Sequence, residues 1–173
     1  RQCERPLPEN EFGIQPTRLY SRNMDVSREN VQELRKLKGE PFVFDAMDKV
    51  TAERGLGPWV RKQLESNQFF KNCQGEKEVE LKVGAQVMLV KNLSDGSKLV
   101  NGSRGKVIGF RKPKKKTRDM VTDLVLDGVE KYPLVQFVNG KRRVIGPQKF
   151  ESRVVGLGTC TRIAVPLRLA WAI

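Results

Sequence analysis

The sequence predicts an α+β chain that is mainly β, and three observations carry this. From Glu80 to the end, short β-branched segments alternate with Gly, Asn, Asp or Lys turns. Helical periodicity is clear only near the start, at about residues 27–38. Charge divides the chain in the same way. Residues 1–80 hold 14 Lys+Arg and 14 Asp+Glu, whereas residues 81–173 hold 19 and 6 and carry the whole net charge of +13. A neutral scaffold joined to a basic β module is the expected organisation.

The elements follow in order. Gly13–Ser21 reads as a turn feeding a short strand. Ser27 is an expected N-cap for the helix, with Glu29 in the first turn and Val26 and Val31 as a hydrophobic staple. Val31, Leu34 and Leu37 form its apolar stripe, and Gly39 stops it. Pro41–Phe44 is strand-like. A short helix after Pro58 is expected to bury Trp59, Val60 and Leu64. Ser66–Glu80 is polar and reads as a mobile loop. Candidate strands are Val83–Val90, Gly105–Phe110, Val121–Leu126, Leu134–Val138, Arg142–Ile145, Phe150–Val155 and Arg162–Trp171. Their number and spacing indicate a small barrel or sandwich, with Asn101-Gly102 and Asn139-Gly140 as tight turns.

Several function classes drop out. The chain has no histidine, which removes Ser-His and Cys-His catalysis and any Cys/His zinc site. Cys3, Cys73 and Cys160 share no close spacing, which argues against a disulfide framework and for a reducing compartment. No apolar run reaches the roughly 20 residues of a membrane span, so no membrane role is expected. The chain opens without Met and closes on the strand-like Leu167–Ile173, so both ends are expected to be cut. Metal ligands are not expected.

The basic half points to a polyanion. Lys91, Asn92, Arg104 and Lys106 gather at the ends of two expected strands, beside Asn101 and Ser103, where they could hold phosphates. The alternative for Asn101, Gly102 and Gly105 is simple turn chemistry. The run Arg111–Arg118, with Lys112, Lys114, Lys115 and Lys116, has three open readings: a solvated loop, a phosphate grip, or a nuclear import signal. Arg142 and Arg143 follow a turn and would extend the basic rim.

The segments GAQVMLVKNL (84–93), LVNGSRGKVIGF (99–110), YPLVQFVNG (132–140) and PLRLAWAI (166–173) resemble the petite-integration-frequency family of DNA helicases. GIQPTRLYSRNMDVSREN (13–30) is similar to that family's fourth helicase motif and the helix after it, and FDAMD (44–48) also fits. The resemblance implies a partial RecA-like α/β domain with an inserted src-homology-3-like small β-barrel. Residues 1–80 would be the partial second RecA-like domain and a connector, 81–158 the barrel, and 159–173 the strand returning to the RecA-like domain.

It further implies an ATP-dependent motor that moves 5′ to 3′ on single-stranded DNA and unwinds forked duplexes. Replication, recombination, repair and telomere maintenance are the expected settings, in the nucleus and/or mitochondrion, with the protein acting as a monomer. ATP and Mg²⁺ are the implied cofactors. Tyr20 and Arg22 would lie near the nucleotide. No G-x-x-x-x-G-K-[ST] loop occurs, so no catalytic residue is assigned and the fragment alone is expected to be inactive. Ala164 stands where relatives often have Gln. Two rival readings are a stand-alone basic barrel that binds RNA or DNA and a protein-interaction module of a chromatin assembly.

Overall fold

Period-two alternation and turn glycines produce ten strands among the residues that the computed structural model describes, which are 10–93, 98–113 and 124–173. In chain order the elements are α1 (Asn23–Lys36), β1 (Phe42–Asp45), β2 (Met47–Ala52), α2 (Trp59–Glu65), α3 (Phe69–Asn72), β3 (Glu78–Leu81), β4 (Gln86–Leu89), β5 (Arg104–Arg111), β6 (Tyr132–Phe137), β7 (Arg142–Val144), β8 (Gln148–Val154), β9 (Gly158–Ala164) and β10 (Leu167–Leu169). The class is α+β, mainly β, as expected.

The strands form a five-stranded sheet in the order β10-β4-β5-β6-β7, a three-stranded sheet β2-β9-β8 and a pair β1-β3. Every pairing between these strands is antiparallel. Outside the named strands, Arg18 and Ala172 form a parallel bridge. Tyr20 N–H donates to the Ile173 carbonyl and Ile173 N–H to the Arg18 carbonyl, both at 2.9 Å. Gly102 and Gly140 have φ of 89° and 81°, the left-handed backbone that both tight turns require.

One core joins distant parts of the chain. Leu34 of α1, Phe44 of β1 and Leu81 of β3 pack with Val87, Leu89, Val107, Val135, Phe137 and Leu167 of the five-stranded sheet. Aromatic rings tie β1 down: Phe42 stacks on Phe110 at 3.9 Å, and Phe44 lies 6.2 Å from both Phe110 and Tyr132. A smaller cluster of Val60, Leu64 and Cys160 lies between α2 and the three-stranded sheet.

Several expectations are corrected. The first helix begins at Asn23, four residues before Ser27, with Arg22 as N-cap and Asp25 in its first turn. Its buried positions are Asn30 and Leu34, while Val31 is exposed, so the inward face is rotated from the expected stripe. Trp59 is 62% exposed, whereas Val60 and Leu64 are buried as expected. Residues 66–80 are not a featureless loop, since α3 lies within them and β3 begins at Glu78. Arg162–Trp171 is two strands. Pro166 has no N–H to give, and the chain breaks between Ala164 and Leu167. Of the expected strand Val121–Leu126, residues 124–126 are not in a strand, and 121–123 lie outside the described residues.

Candidate nucleic-acid interface

Register places the basic residues of the five-stranded sheet. Gln86, Lys106, Gln136 and Arg142 stand directly opposite one another across β4, β5, β6 and β7, so they share one face. Arg168, Met88 and Arg104 form the neighbouring row. The opposite face carries Val87, Val107, Val135 and Phe137 into the core.

An extended segment, residues 10–17, crosses this polar face. Asn10 Oδ1 accepts from the N–H groups of Phe12 and Ile14, which sets its turn. Lys106 Nζ donates to the Gly13 carbonyl at 3.2 Å. The Gln86 side chain accepts from Gln15 N–H at 2.9 Å and donates to the Gln15 carbonyl at 2.8 Å and the Ala170 carbonyl at 2.9 Å. Thr17 Oγ1 donates to the Ala170 carbonyl at 2.9 Å and receives Arg104 at 3.4 Å. Each contact is a local match of donor to acceptor, and together they hold the segment like a strap.

The residues singled out in the sequence therefore occupy separate places. Arg104, Lys106 and Arg142 share the strapped face, where Arg142 Nε donates to Gln136 Oε1. Arg143 alternates away from Arg142 and stands opposite Val135. Lys91 and Asn92 lie past the end of β4, beside β8. Lys91 Nζ donates to the Lys149 carbonyl and stands 5.0 Å from the centre of the Phe150 ring, a cation–π contact. Asn92 Oδ1 accepts from Asn101 N–H at 2.8 Å. Lys112 pairs with Glu130 at 2.7 Å, and this partner holds the Glu130 carboxyl below its usual value. Lys149 likewise holds Glu151 down by a hydrogen bond. Lys114, Lys115 and Lys116 lie outside the described residues. Tyr20 and Arg22 are exposed at the start of α1. No group of His, Cys, Asp or Glu among the described residues could hold a metal ion.

Three polar residues that sequence reasoning passed over do much of the positioning. Arg162 is 3% exposed. It meets both Asp48 oxygens at 2.7 Å and gives Nη1 to the carbonyls of Phe70 and Gly75 at 3.1 Å. The Asp48 carboxylate holds the guanidinium above its usual range, so it stays charged. Asn30 Oδ1 accepts from the N–H groups of Trp171 and Ala172, and its Nδ2 donates to the Ala172 carbonyl at 3.0 Å. Gln86 is the third. A hint was available for Asp48, which lies in the family-like FDAMD stretch, but nothing local marks Asn30 or Arg162 as buried.

Residues 66–110 match the family "DNA helicase Pif1, 2B domain". The Homo sapiens "ATP-dependent DNA helicase PIF1" is 34% identical over 160 residues, 92% of this chain and 21% of that protein. The Saccharomyces cerevisiae (strain YJM789) protein of the same name is 42% identical over 113 residues, 65% of this chain and 12% of that protein. Among solved structures, the Pif1 helicase from Candida albicans superposes with a TM-score of 0.72 at 31% identity, over 98% of this chain and 37% of that one. The chain thus spans about a fifth or less of the length of these curated relatives.

Proposed function

We propose, for a chain that belongs to the Pif1 family of DNA helicases, that it is part of an ATP-dependent motor that translocates 5′ to 3′ on single-stranded DNA. It would unwind forked duplexes in replication, recombination, repair and telomere maintenance, in the nucleus and/or the mitochondrion, acting as a monomer. The observation that carries this is the likeness to the Candida albicans Pif1 helicase over 98% of the chain. The charge supports it independently, since the surplus of thirteen positive charges falls wholly on residues 81–173. Phosphates would screen that surplus and release counterions on binding.

In this reading residues 1–80 and 159–173 belong to the second RecA-like domain, and 81–158 form the inserted barrel. The parallel bridge between Arg18 and Ala172 supports bringing the first and last segments into one sheet. Lys91, Asn92, Arg104, Lys106, Lys112, Lys114, Lys115, Lys116, Arg142 and Arg143 would contact the DNA backbone from the separate places they occupy. Tyr20 and Arg22 would lie near the nucleotide. ATP and Mg²⁺ do not fit this chain as a complete site: it has no phosphate-binding loop, and its described residues hold no carboxylate cluster for a metal ion. Their binding is therefore assigned to the intact protein, and the chain's own share is to hold the strand while the motor domains open and close.

The test is strand displacement by the full-length protein on duplexes with a single-stranded tail at one end only. ATP-dependent unwinding of the 5′-tailed duplex, with the 3′-tailed duplex left intact, is expected. Unwinding only from a 3′ tail, or no unwinding with either, would overturn the reading.

A further inference from the structure

A cavity of about 480 Å³ opens where the end of α3 faces the turn after β4 and the start of β8. Its size lies in the range of about 300–1,000 Å³ typical of sites for small organic groups. Its lining mixes aromatic, amide and charged side chains. Phe69 and Phe150 supply aromatic rings, and Asn72, Asn92 and Asn101 supply side-chain amides. Lys91 stands at the wall over the Phe150 ring.

The walls are built. Gly75 backs the Phe150 ring so closely that a Cβ there would lie 2.6 Å from it, so the ring cannot retreat from the cavity on that side. Lys91 holds the ring's position from its own side through the cation–π contact and its bond to the Lys149 carbonyl. Asn92 ties down its part of the lining by accepting the Asn101 N–H. Gln68 Nε2 reaches Asn72 Oδ1 at 3.4 Å, which orients the amide at the end of α3. Cys73, Gln74, Val90 and Glu151 complete the lining.

Amides that both donate and accept, set beside aromatic rings, match the edge of a flat nitrogen heterocycle. Lys91 on the wall matches a phosphate attached to it, and Lys149 neutralises the lining carboxylate of Glu151 at 2.6 Å. We infer that this cavity receives one unstacked base of a bound single strand, with Asn72 and Asn101 bonding its edge and Lys91 meeting the adjoining phosphate. The inference rests on the DNA-binding reading above and deepens it. The strand would be gripped through a base as well as tracked by its backbone.

The experiment compares binding of the chain to oligothymidylate and to an abasic oligodeoxyribose phosphate of equal length, each across a salt series. The two probes carry the same charge and differ only in their bases. Oligothymidylate is expected to bind about tenfold tighter, the difference that one base contact of this kind provides. In the double variant Asn72→Ala with Asn101→Ala the preference should fall toward unity, with the salt slope unchanged. Both residues lie at the exposed rim, and circular dichroism will verify that the fold is kept. Phe150→Leu, which keeps apolar volume but removes the ring, should lower the preference too. Equal affinity for the two probes with a normal salt slope would overturn the base pocket and leave the DNA-binding reading standing. A preference that survives all the substitutions would also overturn it. Failure to bind either probe at low salt would overturn both.

Discussion

The five-stranded sheet buries one face against hydrocarbon: Val87, Leu89, Val107, Val135 and Leu167 are each at or below 1% exposed. The three-stranded sheet closes instead over Val60, Leu64 and Cys160 and over a guanidinium. Its centre is Arg162 on β9, bonded to Asp48 on β2 and to the backbone of the α3 region. Area removed from water stabilises the first region and does not depend on direction. The second depends on every partner of one buried charge being present. The same chain thus combines a tolerant platform with a specified one, and the cavity beside α3 borders the specified one.

Breaking the platform should have the largest effect. Phe137→Ala leaves a void among fully buried side chains and should cost about 3–5 kcal/mol, read from urea denaturation. Asp48→Ala tests the other region. It strands the Arg162 charge, but Asp48 is a third exposed and water can partly replace it, so about 3 kcal/mol is expected. Combining Asp48→Leu with Arg162→Met should recover most of that loss, because apolar packing can replace a buried pair. A double variant as unstable as the single one would show that the α3 carbonyls, not Asp48, are the partners that matter.

Asn30→Ala comes next, at about 2 kcal/mol, because two buried N–H groups lose their acceptor. Hydrogen exchange should quicken at Trp171 and Ala172 before it does in β4 to β6. The smallest effect concerns Tyr132, whose hydroxyl accepts Leu126 N–H at 2.8 Å. Burial pushes its phenol up from the usual value of about 10, outweighing the opposite pull of the Leu126 bond. The folded chain therefore keeps the proton to higher pH than the unfolded chain does. This contribution is complete below about pH 10 and is lost as pH rises through the folded value. Tyr132→Phe should abolish that alkaline loss while costing about 1 kcal/mol at neutral pH, as followed by thermal melts across pH.

What the sequence disclosed follows the range of the forces involved. Turn glycines and alternation are local, so Arg104–Arg111, Tyr132–Phe137 and Gln148–Val154 were all legible as strands within a few residues. Ser27 misled because a good cap residue also stood one turn inside the helix. Asn30 and Arg162 were illegible for a different reason. Their partners lie 142 and 114 residues away, and polar residues in isolation read as surface. Lys106 and Arg104 were legible as basic strand positions, but not as contacts of the strap at Gly13 and Thr17, again because the strap is distant in sequence. The cavity drew on Asn72 and Phe150, which carry no local signature of a site.

Whether residues 81–173 grip the DNA backbone is read from single-strand binding of the chain across a salt series, with Lys114, Lys115 and Lys116 changed together to Ala in parallel. Salt-sensitive binding is expected, with a log–log slope that becomes shallower by about two to three in the triple variant as three phosphate contacts are lost. Binding that is absent at low salt, or equally salt-sensitive in the triple variant, would contradict it.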